Sequence, residues 1–208
     1  MTRSPFQDQF SSDRPTTLVA GTVRGYRQWE VTLDMKLKSV TQNHVWHSPM
    51  RAICRDPVTS HAAPHSACAC GIYACHRPDD DQLAESSVLH PGCVVTGVVE
   101  AWGRVEMGER GFRAQYSEIK ALEYAMPTSA NLVKALGESR YIFDERRRTE
   151  LPDGRVVKTV ELVFYLGSPR KWQQKLAERF PSARVFGDRR SMVAAYPPVD
   201  ISGLLPAS

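Results

Sequence analysis

Four of the chain's five cysteines and three of its six histidines fall in one stretch from Cys54 to His76, CRDPVTSHAAPHSACACGIYACH. Thiolates and imidazoles gathered this closely can converge on one ion, and Zn²⁺ accepts both in a tetrahedral shell. A shell filled by protein ligands holds a loop in shape. One that leaves a position to water performs chemistry with the same ligand types. The stretch is therefore a candidate site whose class the ligand types alone leave open.

Other chemistry-bearing residues are sparser. Cys93 follows Pro91-Gly92 at the entry to an apolar run, the setting of a small buried thiol. There is no GxSxG elbow, phosphate loop or HExxH helix. Glu100, Glu106 and Glu109 belong to a hairpin pattern, where a solvated strand face or turn is expected. His44 and His47 bracket Trp46 at what reads as an exposed strand end, with joining the metal site as the alternative. Trp29, Trp46 and Trp102 sit in strand patterns and are expected in core packing, with a stacking platform for bases or another ligand as the alternative.

These groups need a scaffold. The chain has 208 residues and is 42% hydrophobic, enough to fill the core of one large domain or two small ones. No stretch approaches the roughly 20 apolar residues that cross a bilayer, and the start lacks an apolar signal region, so a cytoplasmic protein with no membrane contact is expected. An odd number of cysteines, clustered instead of spread, suits reduced thiols or metal ligands; a disulfide stays open as the other reading.

The pattern divides the chain near Met126-Pro127. Residues 1–16 are polar and expected as a flexible arm. Residues 17–127 read as an antiparallel β-rich module: LVAGTVRGYRQWEV, LDMKLKSV and HVWHSPMRAIC give two or three strands before the cysteine stretch. After it, CVVTGVVEAWGRVEM and GFRAQYSEIKALEY flank a polar turn at Gly108 to Gly111. A small sheet or partly open barrel with a cysteine-rich insertion follows. Residues 128–198 read as a small αββαβ module. A helix runs from Thr128 or Ser129 to Gly137, a hairpin turns at Pro152-Asp153-Gly154, a second helix starts at Ser168-Pro169 with Trp172, Leu176 and Phe180 inward, and ARVFG is a last strand. Residues 199–208 are expected as a tail. The fold class is α+β.

The pieces AIC, HAAP and CACGIYA, followed by GVVEAWGRVEMGERGFRAQYSEIKAL, resemble a widespread group of uncharacterised actinobacterial and actinophage proteins. Members carry a Cys, a His-x-x-Pro and a Cys-x-Cys-Gly-[IF]-[YH]-Ala before a Trp-Gly-Arg-Val hairpin ending in Gly-[FY]-Arg-Ala. The resemblance covers about residues 18–122. It implies a coherent module, no particular activity, and a ligand set of Cys54, His61, Cys68 and Cys70 in preference to His65 and Cys75. That set, C-x6-H-x6-C-x-C, supplies three thiolates and one imidazole, a closed shell of the structural kind with Zn²⁺ as its expected ion. The C-x-C pair bends tightly, and Gly71 is expected to relieve the turn.

Charge is uneven. Met1 to Pro127 carries 13 Lys+Arg against 14 Asp+Glu, and Thr128 to Ser208 carries 14 against 9. A basic C-terminal part favours acidic partners, nucleic acid above all. Arg146 and Arg148 share one strand face, and Arg170, Lys171 and Lys175 lie on the second expected helix. If the two sets converge, they straddle a phosphate backbone; a solvated basic surface is the other reading. Asp79 to Asp81 is expected as a polar loop. The resulting expectation is a non-enzymatic interaction protein with a protein partner, a structural Zn²⁺ site and a basic, nucleic-acid-binding C-terminal module. A small enzyme using the cysteine stretch with Tyr73, His61 or His65 is the alternative.

Overall fold

β-branched and aromatic residues at short intervals drive the chain into strands wherever one face can be buried. In the computed structural model, which describes residues 21–31, 36–40, 44–54, 61–81, 83, 94–123, 149–150, 156–157 and 169–201, most of these strands join one sheet. They are β1 (Val23–Val31), β2 (Leu37–Ser39), β3 (Met50–Arg51), β4 (Ile72–Cys75), β5 (Val94–Met107) and β6 (Gly111–Glu123). A two-stranded ladder of β7 (Thr149–Glu150) and β8 (Val156–Val157) is followed by α1 (Pro169–Arg179), β9 (Arg184–Phe186) and α2 (Arg189–Ala195). The described residues thus form a mostly antiparallel sheet with two short helices, consistent with the α+β expectation.

The β5–β6 hairpin is the spine. Its turn falls where the sequence places it, with the Gly108 N–H donating to Gly111 O at 2.7 Å. β5 also pairs along β1, from Val23↔Ala101 to Glu30↔Val94. The far edge of β6 takes β4, from Ile72↔Ala114 to Cys75↔Gly111, and β4 meets β1 at Tyr26↔Cys75. The ladders therefore run round a circuit β1–β5–β6–β4–β1, a small barrel. Irregularities in the β5–β6 register at Val98/Val99 and Trp102/Val105 bend the hairpin so that it can wrap. Gly97 lets two strands approach: a Cβ there would stand 2.4 Å from Ala121 O and 2.8 Å from the Trp29 ring.

Apolar residues on the two faces form two clusters. The larger holds Trp29, Leu37, Trp46, Val99, Phe112 and Ile119, with Leu176 of α1 and Phe180 just beyond its end closing it. Trp29 and Trp46 meet edge to face at 5.2 Å, as the core expectation for both requires. The smaller cluster places Tyr26, Cys75, Val98 and Ala121 beneath Phe186 and Met192, so α2 covers it. Successive strand residues point to opposite faces, which sends Val98 and Val99 to different clusters.

Several expectations change. The cysteine stretch is not wholly an insertion, because its last part is β4 and closes the barrel. α2 follows the side-chain cap of Asp188, whose Oδ1 accepts from the Ser191 N–H at 2.8 Å. No element was expected over this stretch, because it offers too few apolar positions to show a period. β9 appears where ARVFG predicts a strand, but it adds in parallel to β6, Ala121↔Arg184 to Glu123↔Phe186. The Thr149↔Val157 and Glu150↔Val156 pairs flank the expected Pro152-Asp153-Gly154 turn, which lies outside the described residues. The arm over 1–16, the boundary near Met126-Pro127, the helix from Thr128 or Ser129 to Gly137 and the end of the tail also lie outside them. No helix among the described residues is long and apolar enough to cross a membrane.

Candidate metal centre

The end of β3 and the loop leading into β4 deliver the four ligand candidates. Cys54 follows β3, whose course continues through Ala52, where the N–H donates to Gln115 O of β6 at 2.7 Å. Cys68 and Cys70 precede β4, and Gly71 makes the turn into it at φ +132°. A Cβ on Gly71 would crowd Arg113 Cβ at 3.1 Å and Pro64 Cβ at 3.2 Å, so glycine relieves this turn as expected.

The ligand atoms of Cys54, His61, Cys68 and Cys70 all lie within 4.8 Å of one another. Cys54 Sγ and Cys68 Sγ are 3.7 Å apart, and His61 Nε2 is 3.3 Å from Cys70 Sγ. An ion about 2.3 Å from each sulfur at the centre of a tetrahedron sets sulfurs about 3.75 Å apart. The donor set and the spacing thus fit a metal ion, and all four side chains are partly buried. Burial first, then the hydrogen bond and charge of Cys68, push the Cys70 thiol up to about 12. A cation bound there would act in the opposite direction.

A buried arginine fixes the loop from below. Arg113 of β6 is 2% exposed and pairs with Glu106 of β5, its Nε donating to Oε2 at 2.5 Å. Its terminal nitrogens donate to the main-chain carbonyl of His65 at 3.0 Å, to that of Cys68, and to those of Ser66 and Cys70 at 3.5 Å. One guanidinium, with its planar fork of donors, therefore gathers four carbonyls of the ligand loop. Arg104 donates to Pro64 O at 3.3 Å and Ala62 O at 3.4 Å, and the Tyr73 hydroxyl donates to Ala69 O at 2.6 Å. Glu106 is thus a buried partner, where a solvated strand face was expected. The sequence carried a signal for the pair, because a turn at Gly108 to Gly111 places Glu106 opposite Arg113 in register.

The neighbouring candidates separate from the cluster. The His65 ring lies 4.5 Å from that of His61, but its Nδ1 accepts from the Ala67 N–H at 3.3 Å. Cys75 is 1% exposed in the smaller apolar cluster, and burial pushes its thiol up to about 12. His47 is exposed, and the His44 carbonyl accepts from the Ser39 N–H at 2.9 Å. Cys93 lies outside the described residues. Trp102 departs from the core expectation: it stays partly exposed and stacks on Tyr116 at 5.9 Å, because position 102 falls on the outward face of β5. Asp80 is tied to the hairpin turn by Arg110, Nη2 to Oδ1 at 2.6 Å and Nε to Oδ2 at 3.1 Å. A cleft of about 310 Å³ adjoins the cluster, lined by Arg51, Ile53, Cys54, His61, Ala63 and Gln115 among others.

Of the expected nucleic-acid contacts, Arg170 and Lys175 are exposed on α1. Lys171 lies on the same helix, its side chain outside the described residues, as are Arg146 and Arg148. Comparison with protein-family models, with curated proteins and with solved structures found no match to this chain.

Proposed function

We propose that the chain is a non-enzymatic interaction protein whose partner-facing loop is shaped by a structural Zn²⁺ ion held by Cys54, His61, Cys68 and Cys70. The observation that carries this reading is the convergence of those four ligand atoms within 4.8 Å. Three thiolates and an imidazole complete a tetrahedral shell, so the ion acts by tying Cys54 to the 61–70 loop, and no coordination position is left for substrate. Borderline-soft Zn²⁺ is the metal that such a sulfur-rich tetrahedral set favours. The face offered to a protein partner is the cleft beside the site, where Ile53 is 74% exposed.

The test is metal content joined to ligand substitution. Protein purified under reducing conditions should hold one zinc per chain, and Cys68→Ser should lose it. If the wild-type chain is free of zinc, the reading fails; if Cys68→Ser keeps its fold and gains or alters a catalytic turnover, the enzyme alternative replaces it.

The exposed bases of α1 extend the proposal to nucleic acid. Binding of mixed-sequence single- or double-stranded probes should weaken steeply with salt, and removal of both Arg170 and Lys175 should weaken it further. Binding that is absent or indifferent to salt rejects this part alone.

A further inference from the structure

Zinc ligation and disulfide formation, alternatives at the level of sequence, involve the same pair of sulfurs in the fold. Cys54 Sγ and Cys68 Sγ stand 3.7 Å apart, about 1.65 Å beyond the about 2.05 Å of a disulfide. We propose that Cys54 and Cys68 form an oxidisable pair, so that a peroxide converts the metal-bound state into a disulfide and expels the ion. This inference rests on the zinc reading above and adds a covalent modification to the same site.

What selects this pair is how the two main chains are held. The course of β3 reaches Cys54 two residues beyond Ala52, whose N–H is bonded to Gln115 O of β6. The Cys68 carbonyl accepts from Arg113, also of β6. Both anchors are on one strand two residues apart and neither involves the ion. When the ion leaves, the two cysteines stay close together along the same edge of β6. Cys70 also hydrogen-bonds Cys68, but its sulfur lies 3.3 Å from His61 Nε2 as well, and a disulfide to Cys68 would have to close within the tight C-x-C turn. Cys75 is sealed in the smaller apolar cluster at 1% exposure, whereas the four ligands are partly exposed and reachable by a small oxidant.

The chemistry balances with hydrogen peroxide as the oxidant. One thiolate attacks a peroxide oxygen, the O–O bond breaks, and a sulfenic acid forms with hydroxide leaving, which takes up a proton to give water. The second thiolate attacks that sulfur, the S–S bond forms, and the sulfenic oxygen leaves as a second water with one further proton. The two sulfurs lose two electrons, the peroxide gains them, and Zn²⁺ departs unchanged in oxidation state. A thiol reductant with added zinc reverses the sequence.

Zinc-loaded full-length chain, its metal content first established, is treated with graded hydrogen peroxide while released zinc is followed with a chromogenic chelator. The expected result is release of one ion per chain, a Cys54–Cys68 cross-link in peptides mapped without reduction, and an unchanged β-rich circular dichroism spectrum. Dithiothreitol with zinc should restore the starting state. Cys54→Ser should abolish the cross-link, and Cys75→Ser should leave it intact. Retention of zinc under peroxide, a Cys68–Cys70 cross-link, or sulfinic acids in place of a disulfide would overturn the inference while leaving the zinc site standing. A chain that holds no zinc at the outset overturns both.

Discussion

Around Trp29 and Phe112 the barrel wall is held by apolar contact, both side chains being fully buried. Between His61 and Cys70 the chain has no strand or helix and meets the wall through carbonyls gathered by Arg113 and Arg104. The wall follows from burial, which is non-directional and summed over many residues. The loop contributes Ala63 to the larger cluster, depends otherwise on a few directional bonds, and groups ligand atoms that could hold a metal ion. Two regions so differently held should fail separately, and that can be tested.

The largest effect is expected in the wall. Trp29→Ala removes the ring at the centre of the larger cluster and should destabilise the fold by about 3–5 kcal/mol, read as a fall in the denaturant midpoint, with loss of metal as a consequence. Next is the joint between wall and loop. Arg113→Met leaves the Glu106 carboxylate buried without its cation and frees the loop carbonyls, so a loss of about 3 kcal/mol is expected. The double change Arg113→Met with Glu106→Gln should recover part of that stability but not the zinc affinity. Full recovery of zinc binding would mean that Arg113 serves the barrel alone.

Removing the ion is expected to act on one region. A strong chelator should leave the β-sheet spectrum of the wall largely intact and speed amide exchange at residues 61–70. Global unfolding on chelation would erase the distinction. Cys75, its thiol pushed up to about 12 by burial, should resist alkylation at pH 8 in both metal states and react only once the wall unfolds.

The smallest effect concerns His76. Burial holds its imidazole below the ordinary value, against the raising effect of the hydrogen bond to Gly108 O at 2.9 Å. The folded state therefore gives up this proton more readily than the unfolded chain does. Its stabilising contribution is present above about pH 6.5 and is lost as pH falls through the lowered folded value. His76→Gln should flatten that part of the acid-side decline in the thermal midpoint of the chelated protein.

The hairpin and the long strands were legible because β-branched residues alternate over many positions and a Gly-rich turn lies between them. β4 was not. Its four residues follow two candidate ligand cysteines, and its strand character comes from pairing with Gly111 to Ala114 on the far edge of β6, a long-range event no local pattern announces. α1 was visible through Pro169 and the spacing of Leu176 and Phe180, whereas α2 has one buried apolar residue, Met192, and only its cap to mark it. At the site, ligand types could be read and the resemblance narrowed them to four. The convergence itself depends on β3 and β4 flanking the same strand, and the part played by Arg113 depends on hairpin register. Charged residues within a strand are read by default as facing solvent, which is how Glu106 came to be expected on a solvated face and Arg113 was passed over.

X-ray absorption at the zinc edge, on reduced protein loaded with one equivalent of metal, tests the central claim most directly. Three sulfurs at about 2.3 Å and one nitrogen at about 2.0–2.1 Å are predicted, with His61→Ala exchanging the nitrogen shell for oxygen. A first shell dominated by oxygen or nitrogen, or one unaltered by that substitution, would contradict the assignment of Cys54, His61, Cys68 and Cys70 as a metal site.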